Sequence, residues 1–275
     1  MNIIKSLQRD MVQYGLVPEK FQSRVLSSNA PKVLANSIPK SGTNMLLRLL
    51  YLMPSLYRPF HRTIVGSDSA RLEKTLCAIK NAQALPAHLY YSNKAEKLIN
   101  DNKIKNIIII RDPRDIAVSN YIYITYKDKS HRLHKYFKYI LKNDTDRLLA
   151  SINGISSELL GGGEPSLGLG KHLDNYLGWL SVDNCLVVRY EELVGDQGGG
   201  DNDESLRKIF AVAEFLEIDV SESNANKILN KLYSNASRTF NKGKIGGWKA
   251  VFEERHVNAF ENNCGDAIKK MGYSW

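Results

Sequence analysis

A strand that runs into a small-residue turn and then a helix constrains this chain more than any other feature. Residues 33–50 are VLANSIPKSGTNMLLRLL. The apolar run Val33 to Ala35 leads to a tight turn carrying Lys40, Ser41, Gly42 and Thr43, and Met45, Leu46, Leu49 and Leu50 follow at helical spacing. This order points backbone N–H groups and a helix N-terminus at an anion. Residues 107–120, IIIIRDPRDIAVSN, repeat the plan with an isoleucine strand that ends in Arg111 and enters a helix. Two such units with cationic ends predict a ligand that carries phosphate at more than one place.

The remaining pattern extends the plan along the chain. Strands are predicted at Lys32–Ser37, within Ala84–Tyr91, at Lys105–Arg111 and at Cys185–Arg189. Helices are predicted over residues 2–14, Thr43–Leu52, from an Ser92 cap to about Asn102, and from Asp112–Pro113 to about Thr125. Residues 132–160 hold one or two more, followed by Lys171–Leu180, Glu204–Leu216, Glu222–Leu232 and Glu253–Met271. Residues 55–80 fit no single pattern, although Leu72, Leu76 and Ile79 have helical spacing. Gly161–Gly170 and Val194–Asp203 are expected as loops. Strands separated by long helical stretches imply parallel crossovers, hence an α/β fold of three layers around a central parallel sheet. Ligands of such sheets bind at the carboxyl ends of the strands, where both phosphate-type loops lie. Neither an internal repeat nor a break in composition divides the chain, so one domain over residues 1–275 is expected.

Composition narrows the function classes. A hydrophobic content of 43% suffices for a packed core. The net charge of +9 fits a basic surface or a field that attracts a polyanion. The basic residues are spread out, with no arginine-rich arm and no aromatic ribonucleoprotein-type motif, which favours a small anionic ligand over nucleic acid. No apolar run has the length of a membrane span, and the N-terminus lacks a secretory pattern. Three distant cysteines, Cys77, Cys185 and Cys264, form neither a disulfide framework nor a zinc knuckle, so a reducing cytoplasm is expected. His131 and His134 have the spacing of a metal pair, but a solvated helix face is the simpler reading, and no metal is expected.

The first loop departs from the nucleoside-triphosphate loop. That motif ends in Gly-Lys-Ser/Thr, whereas here Lys40 precedes Ser41-Gly42-Thr43, and the two other clear strands end in Arg111 and Arg189 rather than in an acidic magnesium ligand. Instead, Ile38-Pro39-Lys40-Ser41-Gly42-Thr43-Asn44 resembles the 5′-phosphosulfate loop of the sulfotransferases that use 3′-phosphoadenylyl sulfate (PAPS). Arg111-Asp112-Pro113-Arg114-Asp115 with Val118-Ser119 resembles their 3′-phosphate segment. Val188-Arg189-Tyr190-Glu191-Glu192-Leu193 resembles the strand end that sets a tyrosine near adenine. Residues 240–249, FNKGKIGGWK, resemble the C-terminal segment that closes over the 3′-phosphate. The four matches stand in family order.

The resemblance implies the phosphate-loop-like sulfotransferase fold, PAPS as donor, 3′-phosphoadenosine 5′-phosphate (PAP) as product, and no metal. It implies that Lys40, Ser41, Gly42, Thr43, Asn44 and Met45 line the phosphosulfate site. Arg111 and Ser119 would then hold the 3′-phosphate together with Asn241, Lys242 and Gly243, and Tyr190 would lie near adenine. His88, in Leu85-Pro86-Ala87-His88-Leu89-Tyr90, resembles the family's catalytic histidine. An imidazole titrates near neutrality and suits a general base, and Lys40 would stabilise the leaving phosphate. Several positions depart from the family pattern. Ala87 replaces a threonine, Tyr90 a proline, Asn44 a threonine, Met45 a tryptophan and Asn241 an arginine, for which Lys242, Lys244 or Arg238 are the candidate compensating cations. The animal enzymes' dimerisation motif is not recognisable near 249–258, so no oligomeric state follows.

Sulfuryl transfer, like phosphoryl transfer, needs positioning and charge stabilisation more than covalent chemistry from the protein. The acceptor is expected to be a small molecule sulfated on a hydroxyl or an amine. Length and motif spelling resemble small bacterial enzymes of secondary metabolism. Saxitoxin-type guanidinium alkaloids are among the acceptors of such enzymes, and no residue selects them. Tyr121, Tyr123, Tyr126, Tyr176 and Trp179 are candidate pocket walls or core residues, and Gly161–Gly170 is a candidate lid or a plain connector. Two other functions stay open on the residues alone: a magnesium-dependent phosphate-loop kinase or NTPase, and a non-catalytic polyanion binder.

Overall fold

A computed structural model describes residues 29–57, 63–66, 70–234 and 243–275. The helix expected over 2–14 lies outside them, as do Arg238, Asn241 and Lys242. The chain forms two compact units, one from the residues up to Ile110 with Gly178–Lys244, the other from Arg111–Leu177 with Ile245–Trp275.

The first unit is built on five parallel strands: β1 (Lys32–Ser37), β2 (Ile64–Gly66), β3 (Ala84–Leu89), β4 (Ile104–Ile110) and β5 (Cys185–Arg189), in the order β2-β3-β1-β4-β5. β1 and β4 are apolar because neighbours cover them on both faces; Val33, Leu34, Ala35 and Ile107 to Ile109 are fully buried. Helix α1 (Thr43–Leu52) carries the crossover from β1 toward β2, and α2 (Ala70–Cys77) that from β2 to β3. Helix α3 (Asn93–Asp101) connects β3 to β4 in the direction opposite to α1. Right-handed crossovers that run in opposite directions place α1 and α3 on opposite faces of the sheet, which gives the three layers.

α1 buries Leu46, Leu47, Leu49, Leu50 and Tyr51, and the Tyr51 hydroxyl donates to the Ala84 carbonyl at 3.1 Å. Ser92 caps α3, with its side chain accepting from the Ala95 N–H. β2 falls within the stretch that showed no pattern, for it is three residues long and Val65 is 74% exposed.

The second unit is helical. Its members are α4 (Pro113–Ile122), which continues into a π turn at Tyr123–Lys127, α5 (Asp144–Asn153), α6 (Leu169–Leu177) and, after the first unit's α7 (Asn202–Phe215) and α8 (Glu222–Leu232), the terminal α9 (Glu254–Lys270). α9 packs on α6, α5 and α4. Gly170 permits the first of these contacts, since a Cβ there would stand 1.7 Å from the Asn263 carbonyl oxygen.

Three expectations change on the structure. Residues 132–160 are not among them, for they contain one α-helix, α5, within the expected one or two, with a π turn at Tyr136–Ile140 and a 3-10 turn at Glu158–Leu160 beside it. His134 is buried rather than solvated, with Nδ1 at 2.8 Å from the Ile124 carbonyl. The segment 161–170 is held at its middle, where Ile155 and Ser166 exchange backbone hydrogen bonds and the Arg132 guanidinium donates to the Glu164 and Pro165 carbonyls, and its last two residues open α6. The stretch 194–203 holds a helical turn, Gly195–Gly198, and the start of α7. Among the described residues no helix is long and apolar enough to cross a membrane.

Candidate active site

Parallel pairing brings the ends of β1, β3, β4 and β5 to one edge. Ser37 lies beside Ile109, Asn36 beside Ala87, and Ile110 beside Arg189. The loop after β1, His88 near the end of β3, and Tyr190 after β5 therefore meet at the carboxyl edge of the sheet.

The β1 loop is strained and tied down. Lys40 has φ 72°, in the left-handed region, which is costly for a side chain with a Cβ. Such strain persists where the surroundings overdetermine it. Here Ser41 does so. Its hydroxyl lies 2.6 Å from the Ile38 carbonyl and 2.7 Å from the Ile109 carbonyl, and its N–H donates to Ile38 at 3.0 Å. The fully buried Ser41 thus holds the loop's shape through its side chain.

Gly42 has φ 112°, and a Cβ there would stand 2.6 Å from Cδ2 of Tyr190. The Tyr190 ring thereby closes on the loop, while its hydroxyl donates to the Gly243 carbonyl at 3.0 Å. α1 starts at Thr43 with no acidic side chain in its first turn, so the positive end of its dipole is uncompensated. Asn44 and Met45 are half-buried on that first turn.

His88 faces this loop. Its Nδ1 is 2.9 Å from the Ser37 carbonyl oxygen. A carbonyl can only accept, so Nδ1 carries the proton and Nε2 keeps its lone pair. Burial pushes the imidazole below its ordinary value; the Ser37 hydrogen bond opposes this and the Lys40 charge adds to it. His88 is therefore neutral at pH 7, the form a base requires. Its backbone is fixed by Asn36, whose Nδ2 donates to the Leu89 carbonyl at 3.1 Å and whose Oδ1 accepts the Leu89 N–H at 2.8 Å. The Trp179 indole N–H donates to the same carbonyl at 2.9 Å. Trp179 is fully buried, which makes it a core residue and not a pocket wall.

In the second unit, Arg111 opens the segment before α4. Its Nη2 lies 3.4 Å from Asp115 Oδ2. Asp115 also accepts the N–H groups of Gly246 and Trp248, both at 2.9 Å. Burial raises the Asp115 carboxyl, while Arg111 and the two N–H groups pull it back down. Ser119, half-buried, follows Asp115 by four residues and shares its helix face. Arg114 does a different job. It is buried, forked onto Asp112 at 2.9 and 2.7 Å, and its guanidinium carbon lies 4.1 Å from the Trp248 ring centroid.

Tyr121 and Tyr176 are buried in the second unit, and the Tyr126 hydroxyl donates to Asp144. The Lys244 ammonium donates to the Gln197 carbonyl at 2.6 Å. Among the described residues no group of three acidic, histidine or cysteine side chains could hold a metal.

Sequence reasoning passed over Asn36 and Ser37 and read Asp115 only as a member of the Arg111–Asp115 segment. A polar pair closing an apolar strand, and a second acid in the RDPRD segment, were the local signals.

A parallel sheet with an anion-type loop after its central strand and a histidine beside that loop defines an α/β protein of the phosphate-loop-like type. The family model described as "Sulfotransferase domain" matches residues 30–272, and the chain belongs to the sulfotransferase family. Among curated proteins it is 26% identical to sulfotransferase 2A1 of Mus musculus over 258 residues, 83% of this chain and 81% of that one. It is also 26% identical to the 3-beta-hydroxysteroid sulfotransferase of Cavia porcellus, over 81% and 78% of the two chains. Its fold is similar to that of mouse sulfotransferase SULT7A1 crystallised with PAP, with a TM-score of 0.59 at 22% identity over 93% and 92% of the two chains. It is likewise similar to retinol dehydratase in complex with retinol and PAP, with a TM-score of 0.56 at 16% identity over 91% and 84%.

Proposed function

We propose that the protein transfers a sulfuryl group from PAPS to a hydroxyl or amine of a small-molecule acceptor, with His88 as general base and Lys40 stabilising the leaving phosphate. The observation that carries this reading is the His88 ring, held with its Nδ1 at 2.9 Å from the Ser37 carbonyl and under the charge of Lys40. The residues fit an anionic donor. The β1 loop offers the Lys40 ammonium, the Thr43 hydroxyl and the first-turn N–H groups of a helix with no acid in that turn. By likeness to the family, Ser41, Gly42, Asn44 and Met45 belong to the same site, Tyr190 to the adenine, and Arg111, Ser119, Asn241, Lys242 and Gly243 to the 3′-phosphate.

When bound, PAPS supplies the activated sulfuryl group. The chain supplies the rest. The Nε2 lone pair of His88 takes the acceptor's proton, Lys40 balances the charge that develops on the departing side, and the Ser41-stapled loop holds both in place. The relatives named for hydroxysteroids support an alcohol acceptor, and a bacterial secondary metabolite fits the chain's size and spelling. The family match across 30–272 supports a single catalytic domain. Three free cysteines, two of them buried, suit a reducing cytoplasm.

Incubation with PAPS and a panel of hydroxyl- and amine-bearing metabolites should yield a sulfated product by mass spectrometry. His88→Ala should remove that product and still bind PAP. A His88→Ala variant that turns over like the wild type would overturn the base assignment.

A further inference from the structure

Ser37 belongs to no phosphate motif, yet it touches both halves of the proposed chemistry. It is fully buried at the end of β1. Its Oγ lies 2.8 Å from Thr43 Oγ1, 3.1 Å from His88 Nδ1 and 3.2 Å from the Ala87 carbonyl. We propose that Ser37 is a positioning residue whose hydroxyl links Thr43 to His88, so that an anion held by the β1 loop sets the hydrogen bond at Nδ1 and thereby the readiness of Nε2 to accept a proton. This rests on the reading that the loop binds the donor.

The proton count gives the link its direction. Each hydroxyl has one proton to donate. Without an anion, the Thr43 hydroxyl can donate to Ser37 Oγ, and Ser37 then donates to the Ala87 carbonyl. With an anion at the loop, the Thr43 proton turns outward to it. Thr43 Oγ1 is then open to the Ser37 proton, and the Ser37 lone pairs are left facing Nδ1–H. The ring proton lies between the carbonyl and the hydroxyl oxygen of the same residue, and that hydroxyl oxygen, no longer shared with the Thr43 proton, is now the stronger acceptor. A stronger acceptor set at Nδ1 stabilises the imidazolium and makes Nε2 the better base. Lys40 is the charge that acts on the ring against this effect. The base is thus weak while the loop is empty and is strengthened once the loop is filled.

The test is an NMR titration of the His88 ring with and without PAP, in the wild type, Ser37→Ala and Thr43→Val. PAP should raise the midpoint in all three, because its charge acts directly. The rise should be smaller in each variant by about half a unit or more, the size of one neutral hydrogen bond. The double variant should lose no more than either single one, since both cut one path. Equal rises in all three proteins would overturn the link while leaving the proposed donor intact. Failure of PAP to perturb any resonance of the wild type would remove the donor reading and the link together.

Discussion

The carboxylate of Asp115 accepts the backbone N–H of Trp248 at 2.9 Å, across 133 residues of sequence. It accepts the Gly246 N–H at the same distance and pairs with Arg111. One buried acid thereby fastens the turn at 246–248 to the start of α4, beside Arg111, the residue proposed for the 3′-phosphate. Hydrogen bonds to a charged group are worth about 1.5–3 kcal/mol each. An amide cannot accept both N–H groups as a carboxylate does. Asp115→Asn should therefore weaken PAP binding by about tenfold or more and leave the acceptor's KM little changed. Calorimetric titration with PAP checks this; undiminished affinity would mean that the turn does not bear on the nucleotide.

The His88 shift sets a pH dependence. The folded value lies below the ordinary 6.5, so between the two the folded protein binds fewer protons than the unfolded chain. Stability therefore falls as pH drops through about 6.5, and the full cost is present once pH is below the folded value. For activity, kcat/KM for the donor should lose its rate on an acid limb centred below pH 6.5, because that quantity reports the free enzyme. His88→Ala should lack that limb and run about 10²–10⁴-fold slower. A limb that survives unchanged in the variant would assign the titration to another group.

Much of this could be read locally, and the reason is physical. β1, α1, β5 and α8 begin and end where the sequence placed them, because apolar runs there are bounded by caps and turn residues. The tight turn at Lys40–Thr43 was legible for the same reason: the strand end, the turn and the start of the helix are adjacent in sequence. β2 was not, since three residues at a sheet edge leave no periodicity to detect. The contact of Ser37 with His88 spans 51 residues and exists only because β1 and β3 pair in parallel with Asn36 opposite Ala87. No spacing rule contains that register. Trp179 invited an assignment to the pocket by its ring, whereas its indole N–H serves the backbone behind the histidine.

Lys40 separates chemistry from backbone strain. Lys40→Ala and Lys40→Gly both remove the ammonium, and each should lower kcat by about 100-fold or more and weaken donor binding. They should differ in stability. At φ 72° alanine keeps the left-handed penalty of about 1–2 kcal/mol, whereas glycine is free of it. Thermal unfolding should place Lys40→Gly about 2–4 °C above Lys40→Ala. Equal melting temperatures would show that the Ser41 staple does not impose the strain.

Gly42 is the opposite case, in which a side chain is excluded. Its φ of 112° disfavours any Cβ, and the added atom would stand 2.6 Å from Tyr190 Cδ2 and 3.1 Å from Ile109 Cδ1. Ile109 is fully buried and cannot retreat, so the tyrosine ring has to move. That would also strain the hydrogen bond from its hydroxyl to the Gly243 carbonyl. Strain and overpacking together should cost about 2 kcal/mol or more. Gly42→Ala should therefore melt several degrees lower and bind PAP more weakly. Adding Tyr190→Phe, which removes the hydroxyl but keeps the clash, should not restore stability, whereas Tyr190→Ala should restore part of it by making room. Recovery with phenylalanine would place the damage in the hydrogen bond rather than in the packing of the ring on the loop.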